Sequence, residues 1–222
     1  MKVLLVYAHP EPLSFNAAMF SKAQQTLLAA GHELQFSDLY KMDFRAVSDR
    51  ENFTKLQNPA FFKQQLEELH ATEHGYFSAD IAAEQEKLEW CDLMIWQFPL
   101  WWFGVPGILK GWVDRVFAMG RTYGQGRLYE NGVFKGKKAL LSLTTGGYES
   151  DYLEDGFQGD LAGILRPVHR GILEFTGFTV LEPQTVYGPA RMKPEERDTE
   201  LERWQKRLLH IETEEGIIVG RY

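Results

Sequence analysis

The sequence predicts an α/β fold in which helices cover both faces of a doubly wound, five-stranded parallel sheet. Five short apolar runs that are typical of buried strands recur along the chain. Segments with apolar residues at helical spacing alternate with these runs, as βαβ units require. Because no repeat or low-complexity linker interrupts the alternation, we predict one domain over residues 1–222.

The first half of the chain opens with a β-loop-α unit. Residues 3–8 form an apolar run and predict the first strand, and residues 17–30 have helical spacing that ends at Gly31. Residues 33–39 alternate weakly and predict a second strand. Residues 41–80 lose the strand pattern, so we predict an irregular excursion with short helices there.

The middle of the chain repeats the alternation of helix and strand. Residues 81–90 predict a helix, residues 93–98 a buried strand, and residues 107–118 a further helix. Residues 119–136 contain five glycines and predict an exposed loop.

The last third completes the sheet. Residues 139–143 predict the fourth strand, and residues 161–175 predict a helix. Residues 178–181 and 185–187 together predict the fifth strand. An amphipathic helix from about residue 195 and its tail to residue 222 complete the domain.

Composition excludes several classes of partner. The chain has 24 basic and 31 acidic residues, a net charge of −7, and no block rich in Lys and Arg, which argues against nucleic acid and anionic membranes. Cys91 is the only cysteine, so no internal disulfide can form and a reducing compartment fits. No apolar run approaches the roughly 20 residues of a membrane span. We therefore expect a cytoplasmic protein.

An aromatic loop follows the third predicted strand. Residues 97–107 contain Trp101, Trp102 and Phe103 between two prolines. Ligands of open α/β sheets bind at the carboxyl ends of strands, and proline restricts the backbone, so this loop predicts a pre-formed wall for a flat ring. Ordinary packing of the three aromatic residues in the core is the alternative.

Two further loops predict polar contacts at the same edge of the sheet. Residues 9–16 end at a helix N-terminus, where free N–H groups favour a phosphate, although Ser14 and Asn16 could also act only as caps. Residues 144–147 read Thr-Thr-Gly-Gly and offer hydroxyls and unobstructed amides, or else form only a tight turn. The glycine signatures of dinucleotide and nucleoside-triphosphate sites are absent. A flavin is the ligand that needs a stacking wall, polar edge donors and a phosphate site together.

Two other features predict no chemistry. His70, Glu73 and His74 match the H-x-x-E-H pattern of some zinc proteases, but no third ligand is evident, so we predict surface histidines and no metal site. Cys91 lacks a catalytic neighbour in the sequence and is expected to be a small buried hydrophobic residue.

Collinear motifs over nearly the whole chain resemble the flavodoxin-like NAD(P)H:quinone reductases of the DT-diaphorase type. The motifs are Ser14-Phe15-Asn16, Ser37-Asp38-Leu39-Tyr40, Gln97-Phe98-Pro99-Leu100, Trp102-Phe103-Gly104-Val105-Pro106, Ile108-Leu109-Lys110-Gly111-Trp112, Thr144-Thr145-Gly146-Gly147 and Val180-Leu181-Glu182-Pro183-Gln184. The resemblance implies strand order 2-1-3-4-5, a tightly held FAD rather than FMN, and a homodimer with active sites between subunits. It also implies a ping-pong reaction in which hydride passes from NAD(P)H through FAD to quinones.

The resemblance also assigns residues to the expected site. Those expected to contact FAD are His9, Ser14, Phe15, Asn16, Ala18, Pro99, Leu100, Trp102, Phe103, Thr144, Thr145, Gly146, Gly147, Tyr152 and Arg197. Those expected in catalysis are Tyr152, Gly146, Gly147 and Gln158. Those expected in the substrate pocket are Trp102, Phe103, Tyr123, Gln125 and Phe175, with Tyr123 and Phe175 reaching into the partner's pocket.

Two departures from the family pattern affect the expected chemistry. Gln158 stands where the best-known members have a histidine, and an amide cannot accept a proton near neutral pH. Gln125 replaces a tyrosine at the lip of the pocket, which widens or polarises the quinone side. Two other functions stay open from the sequence: an ancillary regulatory subunit of a potassium-efflux system, and an FMN-binding one-electron carrier.

Overall fold

The computed structural model describes residues 1–220, so the last two residues of the predicted C-terminal tail lie outside the described part of the chain. The strands are β1 (Lys2–Tyr7), β2 (Glu33–Asp38), β3 (Leu93–Pro99), β4 (Lys138–Thr145), β5 (Thr179–Val180) and β6 (Gln184–Tyr187). They form a parallel sheet of order β2-β1-β3-β4-β5, with β6 also paired to β4. The predicted strand order is therefore confirmed.

Helices pack on both faces of this sheet, as predicted. They are α1 (Phe15–Ala29), α2 (Gln64–His74), α3 (Ala79–Trp90), α4 (Gly107–Val116), α5 (Leu161–Val168) and α6 (Pro194–Leu208), and α5 continues into a π-helix at His169–Glu174. One core cluster contains Met19 of α1 and Trp204 of α6, and the cluster on the other face contains Trp112 of α4. No helix within residues 1–220 combines the length and apolarity that crossing a bilayer requires.

Strand β3 is buried over its whole length because both of its faces meet helices. Leu93 and Ile95 belong to the core beneath α1 and α6, whereas Met94 and Trp96 belong to the core on the opposite face. Two buried faces explain why the strand reads as a continuous apolar run rather than an alternating one.

The fifth position of the sheet holds two short strands where the sequence predicts one. Ala139 of β4 pairs with Val180, but Ser142 pairs with Gln184, so the outer chain contains one residue more than β4 over this interval. The extra residue forms a bulge beside Pro183, which has no N–H to donate to a ladder. The bulge redirects the chain, and β6 then continues to the edge where the predicted site lies.

The glycine-rich loop over residues 119–136 is packed more tightly than the sequence predicts. Thr122 and Phe134 are buried, and the Phe134 N–H donates to the Thr176 carbonyl at 3.0 Å. Gly132 lies directly against the backbone of Gly177. The prediction of an exposed loop is wrong for these residues, because glycine here permits close backbone approach rather than solvent exposure.

His169 is a buried histidine whose ionisation opposes folding. Burial lowers the pKa of His169 from 6.5 to about 4, so the folded chain holds the ring neutral. Below pH 6.5 the unfolded chain binds a proton that the folded chain does not bind until pH falls to about 4. We therefore expect this residue to lower the free energy of unfolding by about 2 kcal/mol when the pH falls from 7 to 5.

The prediction is checked by chemical denaturation of wild type and His169→Gln at both pH values. The variant should show a smaller loss of stability between pH 7 and pH 5, whatever its stability at pH 7. His210→Gln is the control for replacing a histidine by glutamine at an exposed position. Equal pH dependence in wild type and His169→Gln would contradict the prediction.

Candidate active site

A cleft of about 420 Å³ lies at the carboxyl edge of the sheet, where the loops after β1, β3, β4 and β6 meet. Its lining residues are His9, Ser14, Phe15, Asn16, Pro99, Leu100, Trp101, Thr144, Thr145, Gly146, Gly188, Pro189, Ala190 and Arg197. Most of the residues expected to contact FAD are in this set. Trp101 belongs to the predicted aromatic wall but not to the residues expected to contact FAD. Sequence reasoning missed the three residues after β6, because the second half of the split strand directs them here.

The N-terminus of α1 supplies unused hydrogen-bond donors to the cleft. Ser14 is the N-cap, and its hydroxyl accepts from the Ala17 N–H at 3.1 Å. The N–H groups of Phe15 and Asn16 have no acceptor within residues 1–220, and the first turn contains no acidic side chain. Ser14 therefore caps the helix, and the remaining donors and the helix dipole favour an anion.

His9 presents a second donor beside the helix. Its Nδ1 accepts a hydrogen bond from the Glu11 N–H at 3.0 Å, so the neutral ring carries its proton on Nε2. The ring centroids of His9 and Trp101 lie 6.1 Å apart. His9 is thus held against the aromatic wall with one N–H left to donate.

The aromatic loop forms a tight turn instead of core. The backbones of Trp101 and Gly104 exchange two hydrogen bonds at 3.0 and 3.1 Å, while Trp102 and Phe103 have φ of 52° and 57°. A left-handed conformation costs a non-glycine residue on the order of 1 kcal/mol, and such strain concentrates at functional sites. Trp102 is 98% exposed and Phe103 is 51% exposed, which excludes the core alternative.

Trp102 and Phe103 do not line the cleft within a single chain, and Trp101 forms that wall instead. Ala18 lies on the first turn of α1 outside the lining set, and its N–H donates to the Ser14 carbonyl at 3.1 Å. The structure therefore gathers most of the expected polar contacts, but Gly147 and Tyr152 lie outside the lining of the cleft and two large aromatic side chains remain at its rim.

The loop after β4 combines open backbone with a fixed cation. A Cβ at Gly146 would meet nothing within 4 Å, so the chain is accessible there. The Arg191 guanidinium donates to the Gly146 carbonyl and lies 5.2 Å from the ring centre of Tyr148. Thr145 Oγ1 donates to the Gly147 carbonyl at 3.0 Å, which closes the turn.

Tyr152 is placed by packing beside this loop. Its ring centre lies 5.8 Å from that of Tyr187, and a Cβ at Gly147 would come within 3.0 Å of the Tyr152 ring. Tyr152 is buried and its hydroxyl has no hydrogen bond to any residue in the described range. Gln158 is half-buried, and its N–H donates to the Asp151 carbonyl at 2.7 Å.

The predicted lip residues occupy a second cleft of about 390 Å³ between α2, α4 and the π-helix. It is lined by Gln64, Gln65, Glu68, Val113, Asp114, Phe117, Tyr123, Gly171, Ile172, Phe175 and Thr176. The rings of Tyr123 and Phe175 are 5.7 Å apart. Gln125 is exposed on the neighbouring turn with φ of 55° and does not line this cleft. The two clefts share no lining residue.

Glu68 fixes the position of Tyr123 in the second cleft. Its carboxylate accepts from the Met119 N–H at 2.7 Å, from Gln64 Nε2 at 2.9 Å, and from the Tyr123 hydroxyl at 3.4 Å. Burial raises the pKa of Glu68 above its ordinary value, and the same burial raises the pKa of Tyr123. The Tyr123 hydroxyl therefore stays protonated at neutral pH and can donate to Glu68.

The residues predicted to have no chemistry lie away from both clefts. His70 and His74 are one turn apart on α2, and no group of three or more metal-ligating side chains occurs within residues 1–220. Cys91 is buried, and burial raises the pKa of its thiol to about 12, so it is not a thiolate at neutral pH.

Sequence and structure comparisons place the chain among known proteins. Residues 1–208 match a family described as having a flavodoxin-like fold. NAD(P)H dehydrogenase [quinone] 1 of Rattus norvegicus is 47% identical over 208 residues, which cover 93% of this chain and 76% of the relative. Ribosyldihydronicotinamide dehydrogenase [quinone] of the same organism is 44% identical, covering 97% of this chain and 94% of the relative.

A solved structure agrees with these sequence matches. A candidate quinone reductase from Klebsiella pneumoniae superposes with a TM-score of 0.95 and 41% identity, covering 98% of this chain and 87% of the other. The similarity of fold and of sequence therefore extends over nearly the whole chain. The chain belongs to the flavodoxin-like family, and its sequence is similar throughout to quinone-reducing dehydrogenases of that family.

Proposed function

We propose that this protein is a cytoplasmic NAD(P)H:quinone oxidoreductase that binds FAD in the cleft between the loops after β1, β3, β4 and β6. The observation that carries the proposal is the meeting of three unlike surfaces in one cleft: free N–H groups, a hydroxyl and amide edge, and an aromatic wall. The names of relatives with 44% and 47% identity support the same activity.

The donor set of the cleft suits a flavin. The free N–H groups of Phe15 and Asn16 suit a phosphate, and Thr144, Thr145 and the open backbone at Gly146 suit the polar edge of a ring. The flavodoxin-like fold itself supports a flavin cofactor. We propose FAD rather than FMN because the family resemblance implies it.

A bound flavin would take a hydride from a dihydronicotinamide and pass two electrons to a quinone, so one pocket can serve both substrates in turn. The chain's own residues align the partners and stabilise charge. We assign the amides of Gly146 and Gly147 and the Tyr152 hydroxyl as donors toward developing negative charge. Gln158 can donate a hydrogen bond but cannot accept a proton, so it supplies no proton relay.

The test begins with the chromophore of the purified protein. Mass spectrometry of the released flavin should identify FAD, and the protein should reduce menadione with NADH or NADPH. Ribosyldihydronicotinamide is a third donor to assay, because a relative that matches 97% of this chain is named for it. A protein that is colourless, and stays so after incubation with FAD and FMN, would contradict the proposal.

Two further measurements on the same protein separate the two other functions left open by the sequence. Negligible quinone turnover by the flavin-loaded protein, together with capture of a potassium-efflux transporter, would favour an ancillary subunit. Release of FMN with a one-electron reduced flavin that accumulates during anaerobic titration would favour an electron carrier. Rapid two-electron turnover of menadione contradicts both alternatives.

We also propose that the active unit is a homodimer in which the second cleft of one chain completes the first cleft of its partner. The exposed Trp102 and Phe103 lie at the rim of the first cleft, and Tyr123 and Phe175 lie in a separate cleft of the same chain. Within one chain, the two pairs of aromatic residues do not cover each other. In a dimer, each pair would supply an apolar contact to the other pair on the partner.

We expect two inactive variants to restore activity when they form mixed dimers. Tyr152→Ala disables the first cleft and Phe175→Ala disables the second, so a mixed dimer contains one site with neither change. Unfolding and refolding the variants together at equal amounts should recover about a quarter of wild-type quinone turnover by random pairing. Each variant refolded alone is the control. No recovery, or a monomeric mass in solution, would contradict the dimer.

A further inference from the structure

A chain of buried hydrogen bonds connects the centre of the sheet to the cleft. Ser142 Oγ donates to Gln97 Oε1 at 2.7 Å, Gln97 Nε2 donates to Asn16 Oδ1 at 2.8 Å, and Asn16 Nδ2 donates to Thr144 Oγ1 at 2.8 Å. Gln97 and Ser142 are 2% and 0% exposed and line neither of the two clefts, whereas Asn16 and Thr144 line the first cleft. This series of hydrogen bonds therefore lets the buried residues set the orientation of the side chains at the ligand site.

The direction of these hydrogen bonds is fixed by a sulfur atom. Gln97 Nε2 lies 3.8 Å from Met19 Sδ, which can only accept, so the amide nitrogen faces α1 and the amide oxygen faces Ser142. Asn16 must then present Oδ1 to Gln97 and Nδ2 to Thr144. Each side chain in the hydrogen-bonded series has one orientation because its neighbour has one.

This direction decides what the cleft offers to a ligand. Thr144 Oγ1 accepts from Asn16, so the Thr144 hydroxyl proton remains to be donated. Asn16 Nδ2 also has a second hydrogen. Neither this hydrogen nor the Thr144 hydroxyl proton has an acceptor within residues 1–220. Asn16 Oδ1 is already occupied by Gln97. Asn16 and Thr144 therefore face the cleft as donors.

We infer that Gln97 is a positioning residue that makes Asn16 and Thr144 hydrogen-bond donors toward an oxygen-rich acceptor edge of the ligand. The inference rests on the proposed flavin site and deepens it. Without the Gln97 amide, Asn16 Oδ1 loses its donor and can turn toward Thr144, which then donates to Asn16 instead of the ligand. Gln97 acts on affinity entirely through this pair.

The test is a double-mutant cycle on the flavin affinity of the apoprotein. Fluorescence titration with FAD and with FMN measures the Kd of each variant. Gln97→Met and Thr144→Val should each raise Kd by roughly tenfold, the effect of losing about one hydrogen bond to the ligand. The double variant should raise Kd by less than the product of the two single effects, because both changes remove the Thr144 donor. Thr144→Ser keeps a hydroxyl and should restore most of the affinity that Thr144→Val loses.

A buried glutamine elsewhere provides the control for lost stability. Gln85 is fully buried and donates to the Val116 carbonyl at 3.1 Å, away from the cleft, so Gln85→Met should lower the unfolding temperature without changing Kd. If Gln97→Met does not fold, Ser142→Ala completes the same cycle with Thr144→Val, with a smaller rise in Kd.

Additive effects in the cycle, or an unchanged Kd in folded Gln97→Met, would overturn the inference while leaving the flavin site intact. Wild-type protein that binds neither FAD nor FMN would instead overturn the proposed function itself. The two failures are therefore distinguished by whether the wild type binds.

Discussion

Replacing Tyr152 with phenylalanine is expected to slow hydride transfer from NAD(P)H to bound flavin by on the order of tenfold to a thousandfold, as for other lost charge-stabilising donors. Tyr152 packs against Gly147 and Tyr187, and phenylalanine preserves this packing. The change removes only a hydroxyl that has no hydrogen bond within the described residues. The lost rate therefore reports stabilisation of charge that develops during the reaction.

Anaerobic stopped-flow measurement of flavin bleaching isolates this half-reaction from quinone reduction. The flavin Kd and the unfolding temperature of Tyr152→Phe should stay close to those of wild type. Tyr187→Phe is the matched control, because it removes a hydroxyl from the ring that packs beside Tyr152 and no charge-stabilising role is assigned to Tyr187, so its rate should not change. An unchanged rate in Tyr152→Phe would refute the assigned role.

Replacing Gly132 with alanine is expected to lower the free energy of unfolding by about 3 kcal/mol or more, which is large for one methyl group. The new Cβ would lie 2.4 Å from Gly177 Cα and 2.5 Å from Gly177 N, distances that real Cβ contacts do not show. The three nearest atoms all belong to the backbone of Gly177 and Thr176, so no flexible side chain can move aside. The two backbones would have to separate.

That separation also disturbs the second cleft. The Tyr129 N–H donates to the Phe175 carbonyl at 3.0 Å, and this bond belongs to the same contact between the glycine-rich loop and the end of the π-helix. Gly132→Ala should therefore weaken any dimer as well as the fold. Equilibrium denaturation in urea measures the loss of stability, and sedimentation velocity measures the dimer.

Gly107→Ala is the control for the loss of a glycine. A Cβ at Gly107 meets nothing within 4 Å, and the residue begins α4 with an ordinary φ. Its replacement should change the unfolding free energy by no more than about 0.5 kcal/mol. Equal midpoints for Gly132→Ala and wild type would show that the contact relaxes without cost.

The strands were predictable because their signal is local. β1, β3 and β4 lie within two residues of the predicted ranges, since a strand buried on both faces is apolar over most of its length. The broken fifth strand and the packed loop over residues 119–136 were less predictable. Glycine and proline mark turns and close backbone contacts with the same letters, and only the partner distinguishes the two.

The site was predictable only as a set of loops. Residues 9–16, 99–101 and 144–146 meet as expected, because parallel strands bring their carboxyl ends to one edge. Which aromatic residue faces the cleft depended on one turn, whose hydrogen bonds put Trp101 inside and leave Trp102 exposed. Its pattern of three adjacent aromatic residues carries no such distinction.

The role inferred for Gln97 had a weak signal in the sequence. Leu93, Ile95 and Gln97 face the same side of the sheet, and Leu140, Ser142 and Thr144 do so on the neighbouring strand. A change from apolar to polar residues at alternate positions of two buried strands indicates a polar end of the core. The direction of the hydrogen bonds required the position of the Met19 sulfur.

By itself, the sequence determined the succession of strands and helices along the chain, the edge where the site lies and the chemical types of its donors. These properties follow from periodicity, chain connectivity and side-chain chemistry, which act over a few residues or through the handedness of crossovers. Tertiary structure alone decided which donors are free, which aromatic ring forms the wall, and that Tyr123 and Phe175 belong to a separate cleft. Each of these depends on contacts between residues far apart in the chain, and such contacts have no local pattern.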